Sequence, residues 1–233
     1  IGVLNGIARI CETSGVNPTE INRVMHGTTV ATNALIQRNL PRTAMICTEG
    51  FRDVVEIRRA NKEDLWDTYK DVAKPYVARR DRLVVKECVD ANGVVIEALD
   101  EADALRVAKV LKKRKVASVA ICFMNSYTNG ANEERMRDIM HSVMPDIPIS
   151  ISSQVLPEIF EHERFSTTMV NAAVSPVVVD YVERLEGNLA DGGYERDLLL
   201  LHSGGGVMTP ASVKDFAARL AGSGIAAGAI ASR

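Results

Sequence analysis

Apolar positions along the chain recur with two periods, and the alternation of those periods outlines its elements. Leu4, Ile7, Ala8 and Cys11 follow helical spacing, and Ser14-Gly15 supplies a stop, so a helix is predicted over Val3–Thr13. Ile21–Gly27 reads as a short strand and Thr29–Arg38 as a helix through Val30, Ala34 and Leu35. Arg42–Thr48 reads as a strand and Phe51–Ile57 as a short helix. Residues 58–81 are polar and irregular. Arg82–Val89 and Val94–Glu97 flank Ala91-Asn92-Gly93, a hairpin signal. Asp100 is placed to cap a helix whose apolar face is Leu105, Val107, Ala108, Val110 and Leu111 and whose end is Lys112-Lys113-Arg114-Lys115. Val116–Met124 is an almost unbroken apolar run, the mark of a central buried strand. Met136, Ile139, Met140 and Val143 form one helical stripe over Asn132–Met144, and Ile147–Ser153 is another strand. From Pro157 to about Ala190 the pattern is one long helix, or two broken near Ser175-Pro176. Leu198–Leu201 is a strand that runs into His202-Ser203-Gly204-Gly205-Gly206. Helices alternating with buried strands predict an α/β fold with a mostly parallel sheet and helices on both faces.

Composition narrows the function classes. The 233 residues are 46% hydrophobic and 25% charged, ordinary globular values. The net charge of -2 and an aromatic content of 5% argue against a nucleic-acid binder that works by bulk charge or base stacking. No apolar run approaches the roughly 20 residues that span a bilayer. Cys11, Cys47, Cys88 and Cys122 form no CxxC pattern; Cys47 and Cys122 lie in apolar runs and read as buried hydrophobes, and reduced thiols imply a cytoplasmic protein. The start at Ile1-Gly2-Val3, without a methionine, and the stop inside a helical pattern at Ile230–Arg233 read as a piece of a longer protein.

Three junctions are candidates for chemistry. In His26-Gly27-Thr28-Thr29-Val30-Ala31-Thr32-Asn33 a strand ends, a glycine permits a tight turn, and hydroxyls meet a helix N-terminus, a favourable place for phosphate or carboxylate. Capping by Thr28 or Thr29 explains the same pattern without a ligand. Ser203–Gly206 lets the backbone approach a ligand or a neighbour, or is simply a tight loop; it matches neither a Walker A nor a GxGxxG motif. Gly222-Ser223-Gly224-Ile225-Ala226-Ala227-Gly228 begins a small-residue helix suited to an anion or to close packing. Arg164, Thr168 and Asn171 share one helix face, and spacing alone favours a solvated stripe. His26 and His202 both end strands, yet no HxxxH or HxH pair occurs, so no metal site is predicted. Lys109–Lys115 reads as a solvated helix end and Lys74–Lys86 as a mixed-charge surface.

These segments resemble the hydantoinase A/5-oxoprolinase family. The resemblance is carried by Met25–Leu35, Thr48–Val54, Asn125-Ser126-Tyr127, Asn132–Arg135, Ser152–Val155, Pro157-Glu158-Ile159, Glu163-Arg164 with Ser166-Thr167-Thr168, and Ser203–Met208, in order across nearly the whole chain. Leu65–Val72 looks like members related to acetophenone or acetone carboxylases. The resemblance implies an actin-like ATPase (ribonuclease H-like) fold, here an incomplete fragment: 1–155 would be the C-terminal part of the family's N-terminal domain and 156–233 the start of its core domain. It implies ATP and Mg²⁺ as cofactors and a reaction that phosphorylates a poorly electrophilic carbonyl oxygen, opening a cyclic amide by hydrolysis. The alternatives are a subunit of an acetone- or acetophenone-type carboxylase and a non-catalytic partner domain of the same fold. A hydantoinase-B-like second subunit, hence a hetero-oligomer, is implied as well. The family's Asp-x-Gly-Gly-Thr loops, which supply its main phosphate and metal contacts, do not occur in this sequence, so the stretch alone is expected to be inactive; at the start of the small-residue helix Ile225 stands where the family has proline. The expected catalytic residues are Thr28, Thr29, Asn33 and Arg164. Gly27, Gly204, Gly205, Gly206, Ser223 and Gly224 are expected to wall the nucleotide.

Overall fold

A computed structural model describes residues 2–60, 64, 66–70, 72–194 and 196–232, except the Pro18 side chain. Leu65 and Asp71 of the 65–72 stretch are therefore outside the described residues. The chain forms two compact units, 38–176 and the pair of segments 1–37 and 177–233.

The larger unit is a four-stranded, wholly parallel sheet. Its strands are β2 (Thr43–Thr48), β3 (Arg82–Val85), β6 (Ser118–Cys122) and β7 (Ile149–Ile151), in the order β3-β2-β6-β7. Every residue of β2 and β6 is buried. Strands covered on both faces must be apolar at both alternations, which is why these two read as unbroken runs. Ala44, Ile46, Val119 and Ile121 pack on one face against α4 (Glu101–Arg114) and α5 (Ala131–Val143) through Val107, Leu111, Met136 and Met140. Met45, Cys47, Ala120 and Cys122 pack on the other against Val55 of α3 (Val54–Ile57) and Phe165, Met169 and Ala172 of α7 (Glu161–Asp191). Helices thus cover both faces. Burial pushes the Cys47 thiol up to about 12 and the Cys122 thiol well above its ordinary value, so both behave as small hydrophobes. All four cysteines are free.

In the smaller unit, α1 (Gly2–Ser14) is followed by β1 (Val24–His26) and α2 (Val30–Gln37). β8 (Leu198–Leu201) pairs parallel with β1 and antiparallel with β9 (Val207–Met208). Helices α8 (Pro210–Phe216) and α9 (Ser223–Ala231) complete it. Among the described residues no helix is long and apolar enough to cross a membrane.

Several expectations are corrected. The run 82–89 is not one arm of a hairpin: β3 joins the main sheet, and only β4 (Cys88–Val89) pairs with β5 (Val95–Glu97), because buried Glu87 is turned into a polar network between them. On α4 the inward residue is Ala104, while Leu105 is exposed. The Lys74–Lys86 segment is not all surface: Asp81 is buried and takes Arg42 at 3.0 and 2.8 Å, and buried Arg82 pairs with Glu56 at 2.6 Å. Residues 152–155 form a helical turn, α6 (Ser152–Val155), rather than the end of a strand. Of the two readings of the stretch after Pro157, the single long helix is found: α7 continues through Pro176 without a break, its packing outweighing the lost main-chain bond.

Asp100 does cap α4, accepting the Asp103 N–H at 3.0 Å. Asp100→Ala is expected to cost about 1 kcal/mol, read as a lower urea midpoint with an unchanged slope.

Candidate functional site

Parallel pairing sets the geometry in the smaller unit. Val24, Met25 and His26 face Leu198, Leu199 and Leu200 in register. Two parallel neighbours end on the same side of their sheet, so the turn after His26 and the turn after Leu201 emerge together, at the carboxyl ends where α/β sites collect. The N-terminus of α9 joins them. Ser223 Oγ is fully buried, accepts the Thr28 N–H at 3.0 Å and donates to the Thr28 carbonyl at 2.8 Å. Ser203 Oγ donates to the Arg219 carbonyl at 2.6 Å and accepts the Gly222 N–H at 2.9 Å, and the Thr32 hydroxyl donates to the Ala221 carbonyl. All three predicted junctions are therefore one cluster.

The glycines permit this close packing. A Cβ on Gly27 would collide with Cβ of Ala227 on α9, and one on Gly224 would lie 2.7 Å from Thr29 Cγ2. Gly204 and Gly206 leave room for the His202 ring, which a Cβ would meet at 3.0 and 2.5 Å respectively. Gly205 takes φ +80°, a left-handed value that favours glycine. The glycine run is not a strand-to-helix junction: it is the turn of the β8–β9 hairpin, closed by His202 N–H to the Gly206 carbonyl at 2.9 Å.

Thr28 is buried, and its hydroxyl accepts the Val30 N–H at 3.2 Å, the capping role. Thr29 and Asn33 are exposed and joined by an amide-to-hydroxyl bond of 3.3 Å at the start of α2. His26 Nε2 is 2.7 Å from the Tyr181 hydroxyl of α7, and burial lowers its pKa, keeping the imidazole neutral at pH 7. Tyr181 gave no signal in the sequence; only folding brings it to His26.

Arg164 belongs to the larger unit, and the expected solvated stripe is a buried one. Arg164, Thr168 and Asn171 are all fully buried. The Arg164 guanidinium does not present its charge to solvent but donates to main-chain carbonyls, Glu158 at 2.6 Å and Phe123 at 3.1 Å. Arg164 faces inward to those carbonyls, beyond β6 and before α7, which water does not reach, while Thr168 donates to the Arg164 carbonyl at 2.7 Å and Asn171 to the Ser150 hydroxyl at 3.0 Å.

A second cluster closes the carboxyl ends of the larger sheet. Glu133, fully buried, accepts the Phe123 N–H at 2.8 Å, the Ser153 N–H at 2.8 Å and the Ser152 hydroxyl at 2.6 Å, while the Ser126 and Ser152 hydroxyls meet at 2.9 Å. Glu87, also buried, accepts from the Thr48 hydroxyl and from Asn132 Nδ2 at 2.9 Å; Thr48 Oγ1 in turn accepts the Met124 N–H at 2.8 Å. Glu133 and Arg164 thus hold the two sides of Phe123, amide and carbonyl. The sequence blocks 48–54, 125–127, 132–135 and 152–155 supply much of this network. Nothing in residue spacing marks them as neighbours.

The donor set was tested against a nucleotide with its metal. Ser203 N–H is given to the Arg219 carbonyl at 2.8 Å, Gly204 N–H to His202 Nδ1 at 3.0 Å and Gly205 N–H to the His202 carbonyl at 2.9 Å, so these amides are not open to phosphate. Among the described residues no group of three or more His, Cys, Asp or Glu could hold a metal ion. The 203–205 amides and the described acidic residues therefore do not supply the phosphate and metal contacts of ATP with Mg²⁺; at the same cluster Thr29 and Asn33 are exposed.

Known proteins place the chain. The family model described as Hydantoinase/oxoprolinase N-terminal region matches residues 1–144, and the one described as Hydantoinase/oxoprolinase matches 164–233. Caprolactamase subunit alpha of Pseudomonas jessenii is 31% identical over 96% of the chain and 33% of its own length. The acetophenone carboxylase gamma subunit of Aromatoleum aromaticum is 28% identical over 91% of the chain and 32% of its own length. The crystal structure of the ATP-dependent caprolactamase from Pseudomonas jessenii superposes with a TM-score of 0.86 at 32% identity, covering 95% of the chain and 33% of that structure. The chain spans about a third of the length of these relatives. The architecture is that expected on the resemblance, an α/β fold of the actin-like ATPase class.

Ser223→Ala is expected to cost about 1–3 kcal/mol, because the buried N–H and C=O of Thr28 both lose their partner; thermal unfolding measures it. Burial raises the pKa of Glu87 and Glu133 above the ordinary 4.5, more strongly than their hydrogen bonds lower it. The folded state then holds these protons more tightly than the unfolded chain, so their contribution is complete below 4.5 and is lost as pH rises through the raised values. Urea midpoints of wild type and Glu133→Gln should therefore shift against wild type as pH rises from 4.5 to 7; a shift in its favour would refute the assignment.

Proposed function

Because the chain belongs to the hydantoinase/oxoprolinase family, we propose that the protein is a subunit of an ATP-dependent enzyme that opens a cyclic amide, a lactam or hydantoin, by hydrolysis. The observation that carries this reading is the likeness to the ATP-dependent caprolactamase over 95% of the chain. Activity is proposed for the intact protein, since the chain spans a third of that relative. ATP, when bound, would supply a phosphoryl group that makes the amide carbonyl a better electrophile.

Within this reading the chain's own residues bind and position. The Thr29 hydroxyl and Asn33 amide, exposed at the start of α2, are assigned to meet the reacting group. Gly27 and Gly224 let α9 close on the turn, Gly204, Gly205 and Gly206 shape the hairpin turn around His202, and Ser223 locks Thr28 in place, so these residues position the Thr29 edge. Neutral His26, held by Tyr181, is available to accept or pass a proton at Nε2. Arg164 is assigned a positioning role, fixing the Phe123 and Glu158 carbonyls. The reading includes Mg²⁺ with ligands other than the described residues, a second subunit of hydantoinase-B type, and a cytoplasmic location. A second reading, a subunit of a ketone carboxylase, is favoured by the match to the acetophenone carboxylase gamma subunit.

The two readings part on one assay. ATP hydrolysis by the intact protein with its partner is expected to rise with a lactam or hydantoin and not with a ketone plus bicarbonate; the reverse establishes the carboxylase. In the same assay Thr29→Val is expected to lower turnover by about tenfold or more at an unchanged unfolding temperature, and an unchanged rate removes that turn from the mechanism.

A further inference from the structure

The amino ends of the larger sheet form a basic face, on the edge opposite the polar cluster that closes its carboxyl ends. Four segments lead into the parallel strands there, 40–42, 79–81, 112–117 and 144–148, and they carry seven arginines and lysines against two carboxylates, Asp81 and Asp146. The whole chain has 28 basic and 30 acidic residues, so this excess is local.

Folding concentrates it. Buried Asp81 takes Arg42 at 3.0 and 2.8 Å, Arg114 at 3.4 Å and Arg80 at 3.8 Å. One carboxylate thus serves three guanidinium groups, and two positive charges stay unbalanced around it. Main chain braces the group: Arg42 Nη1 donates to the Arg114 carbonyl at 3.0 Å, and Arg114 Nη1 to the Arg80 carbonyl. Lys112 Nζ donates to the Val143 carbonyl at 2.9 Å, which ties the end of α4 to the end of α5. Lys113 and Lys115 are exposed, and their ammonium groups make no hydrogen bond or ion pair among the described residues. The dipole of α4 attracts the lysines of its own last turn. Arg42 and Arg80 come from other segments, so the dipole does not account for the face. Lys115 takes φ 54°, ψ 47° just after α4, a left-handed conformation at a position that favours glycine. A lysine is held there against its backbone preference.

The placement of the free donors indicates what the face fits. Arg42 has spent Nε, Nη1 and Nη2 inside the protein. Arg80, Lys113 and Lys115 remain, spread over two segments, which suits several carboxylates along a chain better than one compact anion. None of the four segments carries an aromatic residue, so a nucleic-acid base would have nothing to stack on. We propose that this face docks an acidic polypeptide segment of another protein chain, with successive Asp or Glu carboxylates held by Arg80, Lys113 and Lys115. The inference stands apart from the reaction proposed above and holds for either substrate class.

Fluorescence anisotropy of a labelled hexaglutamate peptide with the intact protein tests it. Hexaglutamate is expected to bind, hexaglutamine not to, and the affinity to fall by about tenfold or more as salt rises from about 50 to about 200 mM. The triple variant Arg80→Gln/Lys113→Gln/Lys115→Gly is expected to weaken binding by about tenfold. The triple variant Arg9→Gln/Arg23→Gln/Lys86→Gln removes as many exposed charges elsewhere and is expected to bind like wild type. Lys115→Gly alone suits the left-handed backbone better, so it should weaken binding without lowering the unfolding temperature, which separates docking from a structural role. The proposal is overturned if hexaglutamate does not bind, if the first triple variant binds it like wild type, or if the second weakens it as much. It is also overturned if oligothymidylate binds as tightly as hexaglutamate or if inorganic phosphate displaces the peptide at equal charge concentration. Should the first triple variant fail to fold, the panel on the unaltered protein and Lys115→Gly decide.

Discussion

The candidate site depends on the parallel pairing of Val24–His26 with Leu198–Leu200. These strands are far apart in sequence and short, and neither would be stable alone. Once paired in parallel, both chains must leave the sheet at the same end, and the Gly27 and His202 turns become neighbours. Ser223 then reaches the Thr28 peptide and Ser203 reaches Arg219 and Gly222. The cluster is thus a consequence of strand direction, made rigid by hydroxyls that satisfy main-chain groups.

The larger unit solves a related problem with charged groups. Where β2, β6 and β7 end, main-chain amides and carbonyls are buried without a continuing ladder. Glu133 takes two amides and a hydroxyl, Arg164 takes carbonyls, and Glu87 is reached through Thr48 and Asn132. A buried carboxylate or guanidinium is costly alone and tolerable when its hydrogen bonds are made. Thr48, Ser126, Asn132, Glu133, Ser152, Ser153 and Arg164, which carry part of the family resemblance in this half, make these bonds and so report how the fold is closed.

Glycine content is a poor guide to ligand contact in this chain. Gly204 and Gly206 make room for a histidine ring, Gly27 and Gly224 for a helix approaching a turn, and the amides of Ser203, Gly204 and Gly205 are consumed within the protein. Glycine removes a steric limit, and what fills the space is set by whichever neighbour is nearest. By contrast, Thr29 and Asn33 remain exposed at the same cluster.

Local chemistry alone determined the apolar runs of β2 and β6, the Asp100 cap with its basic helix end, the burial of Cys47 and Cys122, and the α/β alternation, since each follows from period, propensity or a contact within a few residues. The position of three junctions was legible in the same way. Their convergence was not, nor the inward turn of Arg164, Thr168 and Asn171, the splitting of residues 82–89 between two sheets, or the pairing of His26 with Tyr181. Those outcomes depend on which polar groups, main-chain or side-chain, distant segments bring together, and only the tertiary structure decides which side chain is close enough to meet them.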